Sequence, residues 1–299
     1  MNDHHEVPTP PKFTDEEMRA CRESGDFCPI LFEWYKFVGA LCNFFASIQQ
    51  DSPAVKSIEP LHYAVLIGSL NRCSRLMLAN VALSHEGLFG ETTAIIDRCI
   101  FESCVRVTWL CHKNSTENFT RFVAGGLKTE LELKSKIKVN VFSRDGRRTL
   151  EIEKRMLASI ERHLASSGLT DIQIVEAKKL PDIAAMIDGL GQDRLTYIVG
   201  QKIGSHHVHG TWTSLHMHYL EKNEEGTLRP RGHDCETHIE QYVFIPLILL
   251  SVLKAHINFI FASRDDIEPM ESLFDSIVTE IMTLNEKIVG NDFAFAEQV

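Results

Sequence analysis

Long hydrophobic runs are scarce in this 299-residue sequence, and none is an uninterrupted bilayer span. The longest, Tyr242 to Leu253 (YVFIPLILLSVL), ends at Lys254 and is followed by His256 and Asn258. It falls short of the ~20 apolar residues that a spanning helix needs, and such polar groups are costly in lipid. A buried core helix is therefore expected, with no membrane association. Cysteine pairing signals are missing too. The eight cysteines, at 21, 28, 42, 73, 99, 104, 111 and 235, include no CxxC, and most sit inside apolar helical patterns such as CIFESC at 99–104. That excludes a disulfide framework and reads as free thiols in a reducing compartment. The opening MNDHHEVPTPPKF has no apolar h-region and does not read as a secretory signal, so the expected location is cytoplasmic. The sequons at Asn114 and Asn118 are then chance matches.

Positive charge is also in deficit. Lysine and arginine number 31 against 41 acidic residues, a formal net charge of −10 at pH 7, which argues against a broad nucleic-acid-binding stripe and leaves room only for a local basic groove. The catalytic signatures GxSxG, GxxxxGK[ST], HExxH and the dinucleotide-binding fingerprint are absent, and Gly87-Leu-Phe-Gly90 and Gly125-Gly126 read as helix punctuation. Repeats and low-complexity tracts are absent as well. Strand alternation is nearly so, apart from a brief candidate over 139–142.

What remains is helical patterning. Hydrophobic residues make up 44% of the chain and charged residues 24%, enough to bury a substantial core. Residues 1–13 read as a disordered arm, and Thr14-Asp15-Glu16-Glu17 as a capping box that starts a short helix. Apolar periodicity then predicts long helices over 30–50, from Pro60 to about 83, over 92–111, and over 116–139 with a break at Gly125-Gly126. A turn follows at 143–148, then a polar helix over 149–166 and short helices after Pro181 and over 193–205. A loop over 222–233 precedes two C-terminal helices, 236–262 and 266–289, the first kinked at Pro246. The fold class is all-α: a multi-helix bundle forming a single domain over 14–290, with 146–190 as a candidate peripheral insertion.

One polar constellation interrupts the apolar helices. Over 92–111, Arg98, Glu102 and Arg106 recur at four-residue steps within TTAIIDRCIFESCVRVTWLC, so they stack on one face and Glu102 can bridge both arginines. Buried ions need partners, and the candidate is GSHHVHGTW at 204–212, where Ser205 and His209 are also four apart and Tyr197 lies two turns earlier. In the functional reading His209 is a general acid or base, or grips a phosphate with Arg98; in the alternative the network only fixes helix register.

Arg98-x3-Glu102, Tyr197 and Ser205-x3-His209 together resemble an uncharacterised bacterial family of helical bundles with the pattern R-x3-E … Y … S-x3-H, over about 60–220. That resemblance implies a helical fold and the importance of these positions, but no reaction. A second resemblance is to the HEPN superfamily of helical, metal-independent ribonucleases, carried by Arg231-x6-His238 ahead of the apolar C-terminal helix. It implies His238 as general base and Arg231 stabilising phosphate charge. The histidine cluster His206, His207, His209, His216 and His218, with His233, Cys235 and His238 after it, lacks regular zinc spacing and reads as a histidine-rich surface, so no metal and no cofactor are expected. The functional expectation is a helical interaction, sensor or regulatory module of a bacterial defence or stress system; the alternative is a ribonuclease. Aromatic density over 30–50 and 242–261 points to a homo-oligomer, and RNA or a partner protein is the further candidate partner.

Overall fold

The computed structural model describes residues 7–144 and 149–296, and helix dominates them. Helix α1 (Asp15–Ser24) starts where Thr14 and Glu17 satisfy each other: the Thr14 amide donates to Glu17 Oε2 at 2.7 Å and the Glu17 amide to Thr14 Oγ1 at 3.2 Å. Gly25, in the left-handed region at φ 73°, ends it. The chain then makes α2 (Cys28–Ser47), α3 (Pro60–Glu86), α4 (Gly90–Lys113), α5 (Thr116–Ser143), α6 (Glu151–Ser167), α7 (Asp171–Glu176), α8 (Ile183–Gly189) and α9 (Arg194–Tyr197). A π-helical turn (Ile198–Ile203) runs directly into α10 (Gly204–His209), which stops at Gly210 with φ 54°. After α11 (Trp212–His218), a two-stranded antiparallel ribbon of β1 (Leu220–Lys222) and β2 (Leu228–Pro230) precedes α12 (Gln241–Ile260) and α13 (Arg264–Ala296). This is the all-α, multi-helix fold expected from the pattern.

Two compact units form. The smaller comprises Glu59–Val65 and Lys113–Asp182, and its core is Ala124, Leu127, Ile137, Ile160, Leu164 and Ile174 from α5, α6 and α7. Two expectations are corrected here. Helix α5 runs unbroken through Gly125-Gly126, because Ala124 and Leu127 on either side are buried in that core and their burial outweighs the ~1 kcal/mol each glycine costs. It also continues through 139–142, where a strand was expected; Val141 packs on the core while Val139 and Phe142 are exposed, and helix continuation overrides local β-propensity. Most of the turn expected at 143–148, and the first six residues of the N-terminal arm, lie outside the described residues.

The larger unit comprises Met1–Ile58, Leu66–His112 and Ile183–Val299. Its spine is α12, whose length and apolarity would suffice to cross a membrane but most of which is buried against α2 and α13. Tyr242 meets Phe32 and Tyr35 of α2 edge-on, with ring centroids 5.4 and 5.6 Å apart. Polar residues of α12 explain why its apolar run is short. Lys254 pairs with Asp275, and Asn258 Nδ2 donates to Glu271 Oε1 at 2.7 Å, both on α13. Pro246 lies inside α12 and removes the amide that would serve the Tyr242 carbonyl.

His256 is the polar group of α12 that has no such outlet. It is fully buried, and neither ring nitrogen has a hydrogen-bond partner among the described residues. Burial pushes its pKa down to about 4. The unfolded chain protonates near ~6.5, so stability is present above that pH and drains away as pH falls toward the folded value, by roughly 3 kcal/mol in all. We expect His256→Leu to remove this dependence: between pH 7 and pH 4 the wild type should lose more unfolding free energy than the variant in urea melts. Parallel pH curves would refute the assignment.

Candidate functional site

Helix α4 carries the site. Ala94, Asp97, Arg98 and Phe101 recur at three- and four-residue spacing and line one wall of a cavity of about 580 Å³. The facing wall is the π-helical turn and α10, which present Val199, Gly200, Ile203, Gly204 and His207. Two glycines permit the approach. A Cβ at Gly200 would fall well inside van der Waals contact with the ring of Phe101, and one at Gly204 would lie 2.9 Å from Arg98 Cβ. Phe101 in turn stacks on Phe244 of α12, centroids 6.0 Å apart, so the chamber has an aromatic floor. A cross-link fixes the register: Gln201 Nε2 donates to Glu102 Oε1 at 2.9 Å.

The second feature is a polar centre at the start of α4. The loop 231–240 crosses that helix end so closely that a Cβ on Gly90 would meet the Cys235 and Glu236 carbonyls at 2.8 and 2.7 Å. Gly90 N–H donates to the Cys235 carbonyl (2.9 Å) and Glu91 N–H to Asp234 Oδ2 (3.2 Å), so Asp234 caps α4. The other oxygen, Oδ1, accepts from Cys235 N–H at 2.7 Å and lies 2.6 Å from His218 Nδ1. Cys235 Sγ is 3.2 Å from that same ring nitrogen. The Glu91 carboxylate accepts from the Ser214 and Tyr219 hydroxyls. Burial alone would raise the Asp234 carboxyl, but these donors outweigh it and hold it below the ordinary aspartate value. Burial and the charge of Asp234 push the Cys235 thiol up. A Cys–His–Asp relay is excluded by the geometry: thiol and carboxylate share one ring nitrogen, whereas a relay needs one on each.

The third feature is Asp97. Asn80 Nδ2 donates to its Oδ1 at 2.6 Å and to Tyr35 Oη at 3.1 Å, while Oδ2 has no partner among the described residues and the side chain lines the cavity. Burial raises its pKa well above the aspartate range, against the lowering effect of Asn80 and Tyr35. Other cavity-lining residues are similarly incomplete: Arg98 Nε, His207 Nδ1, His218 Nε2 and Gln241 Oε1 are buried without partners among the described residues.

The sequence-predicted residues divide accordingly. Arg98 and Glu102 pair at 3.0 Å, Arg106 joins Glu102 at 3.1 Å, and the stripe is part-buried, with 17%, 21% and 38% of the Arg98, Glu102 and Arg106 side chains exposed. The expected partner segment was 204–212; the residues that meet the stripe are Gln201, on Glu102, and Gly204, against Arg98. The Ser205 hydroxyl donates instead back to the Gln201 carbonyl at 2.7 Å. Tyr197 stacks under the cations of Arg194 and Lys202 and does not line the cavity. His209 is exposed and is not part of the lining either. The reason is phase: cavity-facing positions are 200, 203, 204 and 207, and at ~100° per residue His209 points away from His207's direction by about 200°. Arg231 and His238 lie on the non-helical stretch before α12; His238 lines the cavity, and its Nδ1 accepts from Glu240 N–H at 3.2 Å. The residues missed were Glu91, Asp97, His207, His218, Asp234 and Cys235. Residues 207, 218 and 235 sat in the histidine-rich cluster, without a spacing that announced their convergence.

Residues 63–227 match the sequence model of a family of unknown function, DUF5677, which covers more than half of the chain. Comparison with curated proteins and with solved structures gave no match.

Two outcomes test this geometry. An unfolded aspartate ionises above ~3.9, whereas folded Asp97 keeps its proton to higher pH, so its ionisation opposes folding as pH rises. Asp97→Asn, which keeps the Asn80 contact, should therefore be more stable than wild type at pH 7, with the gap closing toward pH 4; a less stable variant at pH 7 refutes this. Gly200→Ala would gain ~0.5–1 kcal/mol in an open helix. Against Phe101 it should instead cost about 1–3 kcal/mol, and Phe101→Leu in the same chain should recover much of the loss.

Proposed function

The chain belongs to the family of unknown function DUF5677, and from that premise we propose that it is a small-molecule-binding module whose ligand occupies the α4 cavity. The observation that carries the reading is a ligand-sized chamber with apolar walls and a few convergent, unsatisfied polar atoms, the usual make-up of a binding pocket. Phe101, Phe244, Ile245, Val199 and Ile203 supply the apolar surface. Gln241 Oε1 is an acceptor in waiting and Arg98 Nε a donor, while Asp97 Oδ2 donates as long as the carboxyl keeps its proton and accepts once a cationic ligand ionises it. A closed core satisfies or replaces such groups, because each costs ~1–3 kcal/mol when left unpaired. The complementary ligand is largely apolar with an N–H-bearing head, an amine or amide. Uptake of such a ligand is an event that a sensor or regulatory module can report, which joins this reading to the module expected from sequence.

Phosphodiester cleavage is less well supported by the geometry. Among the described lining residues Glu236 and Glu240 outnumber Arg98, a poor complement to phosphate. Arg231 and His238 lie on a non-helical stretch, so no helix face sets their separation.

The test is a thermal-shift comparison of apolar amines and amides with carboxylates of matching size. A fitting ligand at about a hundredfold excess over its Kd should raise the Tm by roughly 5 °C or more. Ala94→Phe, which fills the chamber from the α4 wall, should abolish the response, and Asp97→Asn should weaken the amine response most. If the filled variant responds like wild type, the cavity is not the binding site.

A further inference from the structure

Ligand uptake as described leaves the His218 centre unused, although it is the most densely connected polar group in the cavity wall. The donor atoms of His218, Asp234 and Cys235 all lie within 4.8 Å of one another. In hydrogen-bonding terms the arrangement is over-subscribed: one ring nitrogen, Nδ1, is approached by the Asp234 carboxylate at 2.6 Å and by the Cys235 sulfur at 3.2 Å, and it holds a single proton. On the far side of the ring the supply is short instead. His218 Nε2 is buried without a partner, and so is Nδ1 of His207, whose ring sits edge-on at a centroid distance of 5.0 Å.

We propose that His218 Nδ1, Asp234 Oδ1 and Cys235 Sγ bind a divalent transition-metal ion of the zinc type, with a remaining coordination position toward the cavity. One nitrogen, one oxygen and one sulfur donor suit a borderline-soft ion and are unsuited to magnesium or calcium. Three protein ligands with a position left open is the pattern of sites that present a metal to a bound molecule, whereas purely structural sites are closed by four. The scaffold that such ligands need is already in place. Asp234 is held by the Glu91 and Cys235 amides, Glu91 is itself fixed by the Ser214 and Tyr219 hydroxyls, and Gly90 admits the Cys235 backbone against α4.

The proposal also fixes the protonation of the site. The ion displaces the thiol proton to solvent, and the imidazole proton moves from Nδ1 to Nε2. The carboxylate is unchanged, so one proton leaves per ion bound. The direction in which the open position leads rests on the cavity reading; the binding of the ion does not.

The experiment uses the full chain, stripped with chelator and titrated with cobalt(II). We expect one tightly bound ion per chain and a thiolate-to-cobalt charge-transfer absorption. Cys235→Ser should lose that absorption and bind the ion at least about tenfold more weakly, and Cys28→Ser, altered on α2, should keep both properties. Circular dichroism and urea midpoints of the metal-free proteins establish that each variant is folded, and cobalt or zinc should raise the wild-type midpoint. Absence of the charge-transfer band in folded wild type, or its survival in Cys235→Ser, overturns the site. Measuring ligand shifts on the metal-free protein separates the two ideas: an intact shift without a cobalt band removes the metal alone, and a band alongside an unchanged Ala94→Phe response removes the cavity reading alone.

Discussion

The close approach of residues 198–204 to helix α4 is the constraint on which the rest of the site depends. Phe101 and Arg98 occupy the surface that side chains on the opposite wall would otherwise fill, and only glycine at positions 200 and 204 lets backbone come that near. The contact does three things at once. It seats Phe101 against Phe244, it brings Gln201 within 2.9 Å of Glu102, and it carries His207 to the cavity face. A π-helical turn at this point is consistent with a backbone adjusted to a close contact, since such turns are inserted where a regular helix would not present the right face. The chamber exists because α4 is approached by backbone along one stretch and by side chains elsewhere.

Around the same helix, two aspartates show how environment assigns opposite behaviour to one side chain. Asp234 sits at the α4 N-terminus, where amide donors and the helix dipole favour the charged form, and its carboxyl is held down despite burial. Asp97 lies about two turns further in, beyond the reach of the dipole, with one amide donor and one oxygen unpaired, and burial pushes it up. The first aspartate stabilises the fold at neutral pH and the second opposes it. A buried acid that asparagine would replace without loss of shape adds nothing to stability at neutral pH, and this one lines the cavity.

Much of the fold was legible in the sequence because the signals that set it are local. The Thr14–Glu17 box, proline at the first position of α3 and the four-residue steps of Arg98, Glu102 and Arg106 all act within one or two turns. That the stripe needs a partner could be read, because buried charge demands one, but the residues that meet it are Gln201 and Gly204 and not Ser205 or His209. The errors came where tertiary burial overrode local preference, as at Gly125-Gly126 and Val141. The site was less legible for two physical reasons. The four-residue step from Ser205 to His209 marked a shared helix face but not which face turns inward, so His209 was chosen where His207 is the residue that lines the cavity. And His218, Asp234 and Glu91 meet only because a loop crosses the start of α4, a contact spanning 143 residues between Glu91 and Asp234 that no spacing rule encodes.

The distribution of unmet polar valence bears on the proposed binding cavity. In the smaller unit Arg144 donates to Glu153 at 2.6 Å and Lys134 reaches Glu161 at 2.9 Å around an aliphatic core, although Arg121 Nε and His62 Nε2 stay buried without hydrogen-bond partners among the described residues. In the larger unit Lys254–Asp275 and Asn258–Glu271 join α12 to α13, while His256 and Asn285 keep unpaired atoms among the described residues. At the cavity wall Asp97, Arg98, His207, His218 and Gln241 each keep a buried atom unpaired among the described residues. Each such atom costs free energy that an apolar side chain of similar size would save. Such costs are also scattered among the described residues at Trp34, His62, Asn80, Arg121, Gln201, His256 and Asn285, but five of them meet at one chamber beside the Asp234–His218–Cys235 group. That convergence is what a site requires: groups left incomplete by the chain so that something bound there completes them.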